Sequence, residues 1–162
     1  MSLPGMIDGV FTKQLVRHPD ERGFFEELIR VSDPFFGEGF AQLSRSLMHE
    51  GVVKAWHVHA TQVDWWYVVT GSVKVALFDT RKGSKTKGVI NEFVLGEGGK
   101  DMVLKIPAGV AHGCKVLKGP ANLVYVTSSQ YNREEEGRIP YNDPSIGYDW
   151  EQGVAITNKN IT

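Results

Sequence analysis

An all-β fold is the class that the sequence predicts, on three observations. Short apolar runs rich in Val, Phe, Trp and Tyr recur roughly every ten residues. Clusters of Gly, Pro, Asn and Asp separate these runs, and the chain holds 18 glycines. Several runs alternate apolar and polar residues, as strands with one buried face do. This pattern is typical of an antiparallel sandwich or barrel, and not of strands that alternate with helices.

The length predicts one domain. A chain of 162 residues is in the usual single-domain range and can bury about two thirds of its unfolded surface. We expect residues 1–162 to form this domain, with a β core over about 10–130. The polar, charged end of the chain, about 131–162, is expected to fold over the sheets as a C-terminal arm.

Charge and cysteine content exclude several classes of protein. Eighteen Lys and Arg against nineteen Asp and Glu give a formal net charge of -1, without a basic stripe. We therefore expect no nucleic-acid partner and no membrane partner. The single cysteine, Cys114, excludes an internal disulfide framework. No apolar run reaches the roughly 18 residues of a membrane span, and Met1 to Gly9 does not resemble a signal peptide, so the expected location is cytoplasmic.

Five elements are predicted before residue 50. The first is a strand over Val10–Val16. His18–Gly23 has the Pro, Asp and Gly content of a turn and leads into a strand over Phe24–Arg30. Ser32–Phe40 is expected to be a loop or short helical turn, and Ala41–Leu47 alternates as a strand does.

The central stretch predicts three strands. Val52–His59 and Trp65–Val69 are apolar and β-branched or aromatic, with a turn at Ala60–Asp64 between them. Gly71-Ser72 predicts a tight reversal into a third strand. That strand is Val73–Asp79, whose apolar and polar residues alternate.

The remaining strands are short runs between loops. The strand that ends at Ile106 is expected to stop there because Pro107 cannot donate to a ladder, and a turn at Pro107–Gly113 is expected to return His112 toward the sheet. The predicted strands are Val89–Leu95, Met102–Ile106, Cys114–Leu117 and Ala121–Val126.

Most candidate chemistry lies between Gly51 and Gly71. His57 and His59 occupy alternate positions of one strand and therefore point to the same face. The following turn brings Asp64 near them, and His112 is a plausible fourth group. Imidazole and carboxylate groups suit Fe, Mn, Zn or Ni ions. Structural hydrogen bonding is the competing interpretation of these histidines.

The spacing of these residues resembles known motifs. Gly51-x5-His57-x-His59-x4-Asp64-x6-Gly71 resembles the first cupin motif, and Pro107-x-Gly109-x2-His112 the second. Further segments, in the same order, resemble the dTDP-4-dehydrorhamnose 3,5-epimerase family over about Val10 to Trp150. These segments are D20-x-R22-G23-x-F25-x-E27, Q42-x-S44-x-S46, V53-K54-A55-W56-H57, L77 to S84, I106 to G113, L123-V124-Y125 with Y131, and N142-D143-P144.

The resemblance implies a fold and a reaction. It implies a cupin double-stranded β-helix, or jelly roll, that needs no metal and forms a homodimer through strands near the N-terminus. The implied reaction is the epimerisation of a nucleotide-linked 4-keto-6-deoxysugar. Protons next to the keto group, at C3 and C5, are removed to give an enolate, which is reprotonated from the other face. Such chemistry requires a base and an acid on opposite sides of the sugar ring.

The resemblance also implies roles for individual residues. His57 matches the base and Tyr125 the acid. Arg22 and Lys54 would bind the diphosphate, Phe25 would stack on the nucleotide base, and Glu27 would accept from the pyrimidine. The complete set of implied substrate contacts is Arg22, Phe25, Glu27, Gln42, Lys54, Asp64, His112 and Tyr131.

Four positions depart from the family pattern. Lys54 replaces an arginine, and His59 replaces a glutamine. Asp64 replaces the lysine that steadies the enolate oxygen, so an anion stands where the family has a cation. Asn160 falls about where an aspartate would orient the base.

These departures leave several alternatives. His57, His59, Asp64 and His112 are together able to hold a divalent metal, in an isomerase or an oxygenase. Asp64 is also a possible orienting carboxylate for His57 or His59. The related 3,4-ketoisomerases carry a His-x-His at this strand and use histidine bases without metal. A further alternative, from a different class, is a non-catalytic protein that binds nucleotide sugars.

Overall fold

The computed structural model describes residues 5–151, which form one large antiparallel sheet and a small hairpin. The strands of this part of the chain are β1 (Phe11–Gln14), β2 (His18–Asp20), β3 (Gly23–Phe25), β4 (Gln42–Met48), β5 (Val53–His59), β6 (Asp64–Asp79), β7 (Ile90–Gly96), β8 (Met102–Ile106), β9 (Val110–Thr127) and β10 (Glu136–Arg138). A 3-10 helix spans Pro34–Phe36. The predicted all-β class is thereby confirmed. None of the helices within residues 5–151 is long and apolar enough to cross a membrane.

Two long strands, β6 and β9, organise the sheet. They pair with each other from Asp64↔Thr127 to Asp79↔Val110. The other edge of β9 pairs first with β5 and then, in its second half, with β4. The other edge of β6 pairs with β8 near its start and with β7 further on. β1 and β10 extend the sheet beyond β8 and β5.

The predicted reversal at Gly71-Ser72 is wrong, because β6 runs through it. The pairing with β9 shifts register between Val68 and Val73, which marks an irregularity inside one strand. Gly71 has a φ of +80°, and a Cβ there would lie 2.7 Å from the carbonyl oxygen of Lys118. The glycine is therefore required by a bend and a close approach to β9, not by a hairpin.

Two predictions around β9 are wrong for a similar reason. The expected strands Cys114–Leu117 and Ala121–Val126 are parts of one strand that continues through Gly119-Pro120. The turn expected over Pro107–Gly113 ends at Gly109, where Val110 bonds back to the Pro107 carbonyl. His112 therefore lies inside a strand and faces the interior from a fixed register position.

The N-terminal region also differs from its prediction. The residues expected to form a turn, His18–Gly23, supply β2 and the first residue of β3. The strand predicted over Phe24–Arg30 ends at Phe25. After Phe25, hydrogen bonds that involve side chains take the place of strand pairing. Glu26 accepts from the Tyr67 hydroxyl, and the Asp33 carboxylate accepts from the backbone amide of Arg30. β1, β4, β5, β7 and β8 match their predictions within two residues, and the 3-10 helix lies inside the loop or helical turn predicted over Ser32–Phe40. β10 was not predicted.

The strong alternation of β6 divides the core into two layers. Trp66 and Val68 point into the interior of the folded sheet with the apolar residues of β8 and β9. Trp65 and Tyr67 point outward and pack against the 3-10 helix, where the Trp65 indole donates to the Phe35 carbonyl at 3.0 Å. The sheet is thus buried on both faces at this point, which fixes the inward direction of Asp64 and Trp66.

The end of the described chain packs across β5. β10 pairs antiparallel with β5, so that Glu136 lies opposite His59 and Arg138 opposite His57. Further on, Trp150 is buried against Trp56 with ring centroids 5.0 Å apart. These contacts hold an acidic segment beside the two histidines. The division into a core and an arm stays a prediction.

Candidate active site

Alternate side chains of four strands converge on one cavity of about 240 Å³. Because successive side chains of a strand point to opposite faces, alternate residues of β4, β6 and β9 are directed inward here. β5 contributes residues from both sides of its register shift. β10 completes the wall. The lining residues are Gln42, Ser46, Met48, Lys54, His57, His59, Gln62, Asp64, Trp66, His112, Cys114, Leu123, Tyr125, Thr127, Tyr131, Glu136 and Arg138.

His57 is the accessible histidine of this cavity. It lies opposite His112 in the β5–β9 pairing, directly after a register shift that begins at Lys54. Its side chain is 36% exposed, and its Nδ1 lies 3.1 Å from Oε1 of Glu136. Burial lowers the pKa of His57, and the negative charge of Glu136 opposes this effect. The ring is thus a base at neutral pH, with a carboxylate placed to stabilise its protonated form.

Tyr125 is the phenol of the same cavity. It lies on β9, opposite Ser44 of β4 and Trp66 of β6. Its ring centroid is 6.3 Å from that of Trp66. Burial raises the pKa of Tyr125 above its ordinary value of 10.0. The phenol therefore keeps its proton at neutral pH and is able to donate it.

His59, Asp64 and His112 form a buried cluster at the inner end of the cavity. Their possible ligand atoms lie within 4.8 Å of one another. The Asp64 carboxylate accepts from the Gln62 amide at 2.7 Å and from the Trp66 indole at 3.1 Å. His112 Nε2 is 4.0 Å from Asp64 Oδ2. Burial lowers the pKa of His112 to about 4, so this ring is neutral at pH 7.

Hydrogen bonds fix the ring of His112, while a carboxylate approaches that of His59. The His112 Nδ1 lies 3.1 Å from the Val110 carbonyl oxygen, which can only accept. The His59 Nδ1 lies 3.4 Å from Oε2 of Glu135, without the geometry of a hydrogen bond, and has no hydrogen-bond partner among the described residues. Glu135 is itself held by the backbone amides of Thr61 and Gln62.

Three predicted binding residues lie around the mouth of the cavity. The Lys54 ammonium donates to the Ser46 hydroxyl at 3.1 Å. The Gln42 amide donates to Ser44 at 2.9 Å and accepts from the backbone of Tyr131 at 3.0 Å. The Tyr131 ring remains 64% exposed. A cation, an amide and an open aromatic face therefore lie together at the entrance.

The structure does not bring Arg22, Phe25 and Glu27 to this cavity. Arg22 and Phe25 lie on the exposed β2–β3 hairpin, where the Arg22 guanidinium pairs with Asp20 at 2.6 Å. Phe25 is 63% exposed, and Glu27 pairs with Arg30. Asn160 lies outside the described residues. Arg22, Phe25 and Glu27 therefore do not line the cavity of their own chain.

Sequence reasoning missed Glu135, Glu136 and Gln62. The two glutamates belong to an acidic run that indicated only an arm folded over the sheets, and the pairing of β10 with β5 is what places them beside the histidines. Gln62 had a detectable signal, because Gln62, Asp64 and Trp66 alternate along the chain and therefore share a face.

Comparison with known proteins adds an independent line of evidence. The sequence profile of the dTDP-4-dehydrorhamnose 3,5-epimerase family matches residues 4–161. The chain is 46% identical over 148 residues to the spore coat polysaccharide biosynthesis protein SpsL of Bacillus subtilis, which covers 90% of this chain and 97% of that protein.

Solved structures agree with this assignment. A dTDP sugar isomerase from Desulfovibrio desulfuricans superposes with a TM-score of 0.84 at 27% identity, over 91% of this chain and 94% of that one. A dTDP-6-deoxy-D-glucose-3,5-epimerase from Legionella pneumophila, solved with dTDP-4-keto-L-rhamnose, gives 0.82 at 31% identity, over 91% and 81%. The predicted cupin jelly roll is confirmed, and the chain belongs to the dTDP-4-dehydrorhamnose 3,5-epimerase family.

Proposed function

We propose that this epimerase acts on a dTDP-linked 4-keto-6-deoxysugar, with His57 as the base and Tyr125 as the acid. The observation that carries the proposal is the arrangement of one cavity. An accessible imidazole with a carboxylate 3.1 Å from its Nδ1 and a protonated phenol on a different strand both open into it. The ligand of the Legionella relative supports the choice of substrate class.

Each epimerisation is a pair of proton transfers. A ring nitrogen of His57 takes the proton from the carbon next to the keto group. The C–H electron pair becomes the C=C bond of an enolate, and the carbonyl electrons move onto O4. Tyr125 then gives its proton to the same carbon from the opposite face. Proton exchange with solvent restores both side chains, so the reaction consumes neither a proton nor an electron pair overall.

The entrance residues fit the nucleotide part of such a substrate. Lys54 offers a positive charge to the diphosphate, although as a point charge and not as a bidentate fork. The open ring of Tyr131 offers a stacking surface. Gln42 holds the Tyr131 backbone in place by accepting its amide hydrogen. Asp64 and His112 would face the sugar at the inner end.

We further propose a homodimer in which the hairpin of one chain completes the cavity of the other. The cavity, about 240 Å³, is below the roughly 300 Å³ at which complete ligand pockets begin. Arg22 and Phe25 are exposed on the hairpin and Glu27 follows it, all away from their own cavity. A partner's hairpin would supply the missing diphosphate and base contacts.

Mixing two inactive variants tests this dimer. His57→Asn removes the base, and Arg22→Ala removes the diphosphate contact supplied to the partner. If each cavity uses both chains, a mixed dimer of the two variants holds one intact site and regains activity. Activity that stays at the level of the separate variants, in mixtures shown by mass spectrometry to exchange subunits, would contradict shared sites.

The proposed reaction is tested by turnover of dTDP-4-keto-6-deoxyglucose with product identification by NMR. We expect a C3 or C5 epimer from the unmodified protein and none from His57→Asn. His49→Asn is the matched control, because His49 is exposed and outside the cavity. Tight dTDP binding without any epimer would instead indicate a binding protein.

The cytoplasmic location is part of the same proposal. Its support is the nucleotide-linked substrate class and the absence of a membrane-spanning helix among residues 5–151. Side chains of this chain supply both the base and the acid of the two proton transfers.

A further inference from the structure

In the cluster of His59, Asp64 and His112, the buried carboxylate of Asp64 accepts hydrogen bonds only from neutral donors among the described residues. Asp64 is 3% exposed, and its two donors, the Gln62 amide and the Trp66 indole, are both neutral. A buried carboxylate is costly unless a cation or several strong donors compensate its charge. The nearest imidazole nitrogen, Nε2 of His112, lies 4.0 Å away, beyond hydrogen-bond distance.

The neutral ring of His112 directs a lone pair toward this carboxylate, whereas the lone pair of His59 faces the amide of Gln62. The Val110 carbonyl oxygen can only accept, so the Nδ1 of His112 carries the hydrogen and Nε2 carries the lone pair of the neutral ring. For His59, Nδ1 faces the Glu135 carboxylate at 3.4 Å, and Nε2 lies 3.4 Å from the amide nitrogen of Gln62. That amide is oriented by its bonds to Asp64 and Ser129, so it presents hydrogens to His59.

The two imidazoles and the Asp64 carboxylate are three buried electron-pair donors within reach of one ion, and a transition-metal ion requires such a set. We propose that His59, Asp64 and His112 bind one divalent transition-metal ion. Their ligand atoms lie within 4.8 Å of one another. A tetrahedral ion with bonds of about 2.0–2.2 Å holds its ligands about 3.4 Å apart, so a movement of each ligand atom by less than about 1 Å completes the site.

The groups that contact His59, Asp64 and His112 are of the kinds that commonly contact metal ligands. Metal-binding histidines commonly direct the other ring nitrogen to a carboxylate or a backbone carbonyl, and ligating carboxylates are themselves hydrogen-bonded. Here Glu135 faces the second ring nitrogen of His59, and the Val110 carbonyl accepts from that of His112. Gln62 donates to the Asp64 carboxylate. Three protein ligands leave coordination positions open toward the cavity, as in catalytic sites.

The role of the ion rests on the proposed function. An enolate oxygen needs a positive charge or strong donors beside it, and this stabilisation is often the largest catalytic contribution. A metal ion that is bound at the inner end of the cavity would polarise the keto oxygen as a Lewis acid. His57 lies outside the cluster, with Glu136 beside it, and stays free to act as the base.

Cobalt binding tests the site without any reliance on activity. The full chain, treated with chelator and dialysed, is titrated with Co²⁺ while the visible ligand-field bands are recorded. We expect one equivalent to bind, and Asp64→Asn and His59→Gln each to weaken binding by at least about 100-fold. His57→Gln is the matched control and should bind Co²⁺ as the unmodified protein does. Circular dichroism and a dTDP-induced thermal shift confirm that each variant is folded.

Two results would overturn the site. One is Co²⁺ binding by the unmodified protein no tighter than by folded Asp64→Asn. The other is a loss in His57→Gln as large as in His59→Gln, which would make the base histidine a ligand. The role is tested separately by deuterium exchange at C3 and C5 before and after metal removal. Exchange that is unaffected by removal overturns the role, whereas bound Co²⁺ with no exchange in either state overturns the proposed reaction and leaves the site standing.

Discussion

Removing the charge of Glu136 should slow the proposed reaction by about 100-fold. Its Oε1 lies 3.1 Å from His57 Nδ1, and its side chain is only 12% exposed. Proton abstraction makes the imidazole cationic, so the carboxylate stabilises the product of that step. Glu136→Gln keeps an oxygen that can hold the ring but removes the negative charge.

The magnitude follows from the distance and the surroundings. Two unit charges about 4 Å apart attract by about 4 kcal/mol at the effective dielectric constant of a partly buried site. Arg138 lies 3.4 Å from the other carboxylate oxygen and neutralises part of the charge. We therefore expect a loss of about 2–3 kcal/mol, which is a decrease in kcat of roughly 100-fold.

Steady-state kinetics and calorimetry together provide the assay. The decrease should lie in kcat, with the Kd for dTDP unchanged, and the kinetic isotope effect for a substrate deuterated at the reacting carbon should rise as proton abstraction becomes limiting. Glu134→Gln is the matched control, because Glu134 is exposed and outside the cavity. A kcat within twofold of the unmodified protein, or a loss confined to dTDP affinity, would refute a charge acting through His57.

Three further predictions concern the acid, acid stability and the C-terminal arm. Tyr125→Phe should reduce epimer formation more than deuterium exchange at the abstracted position, as NMR would show, and equal losses of both would argue against Tyr125 as the acid. Asp79 is fully buried; burial raises its pKa, but hydrogen bonds from Arg81 and neighbouring hydroxyls outweigh this and lower it. Its stabilising effect is therefore complete above the unfolded pKa of about 4 and is lost as pH falls below it; urea unfolding between pH 5 and 3 should show a smaller pH dependence in Asp79→Asn. Trp150→Ala should lower the free energy of unfolding by about 3–5 kcal/mol. A decrease of less than about 1 kcal/mol, measured by urea unfolding, would contradict the packing of Trp150 on Trp56.

The sequence predicts the positions of most strands because their apolar residues alternate with the sheet's own period. It fails at Gly71-Ser72 and at Gly119-Pro120, where a long strand continues and neither reverses nor breaks. Local pattern cannot distinguish a continuing strand from a reversal, because the difference lies in the partner strand: β9 approaches the backbone of Gly71 too closely for any side chain.

The same limit applies to the candidate site. His57, His59 and Asp64 are recognisable because they are close together in the sequence, and Tyr125 because the resemblance to the family identifies it. Glu136 lies far along the chain from the histidines in a run of three glutamates. The pairing of β10 with β5 brings this run to the histidines, and the side-chain contact shows that Glu136 faces His57. Arg22 lies away from its own cavity, on the exposed β2–β3 hairpin, and the local pattern around it did not indicate this.

The central claim is that His57 abstracts a proton next to a keto group. The most direct measurement is incubation of the protein with dTDP-4-keto-6-deoxyglucose in D2O, with deuterium at C3 and C5 followed by NMR. The account predicts incorporation at one or both carbons by the unmodified protein and none above background by His57→Ala. Incorporation that persists at an undiminished rate in a folded His57→Ala variant would contradict it.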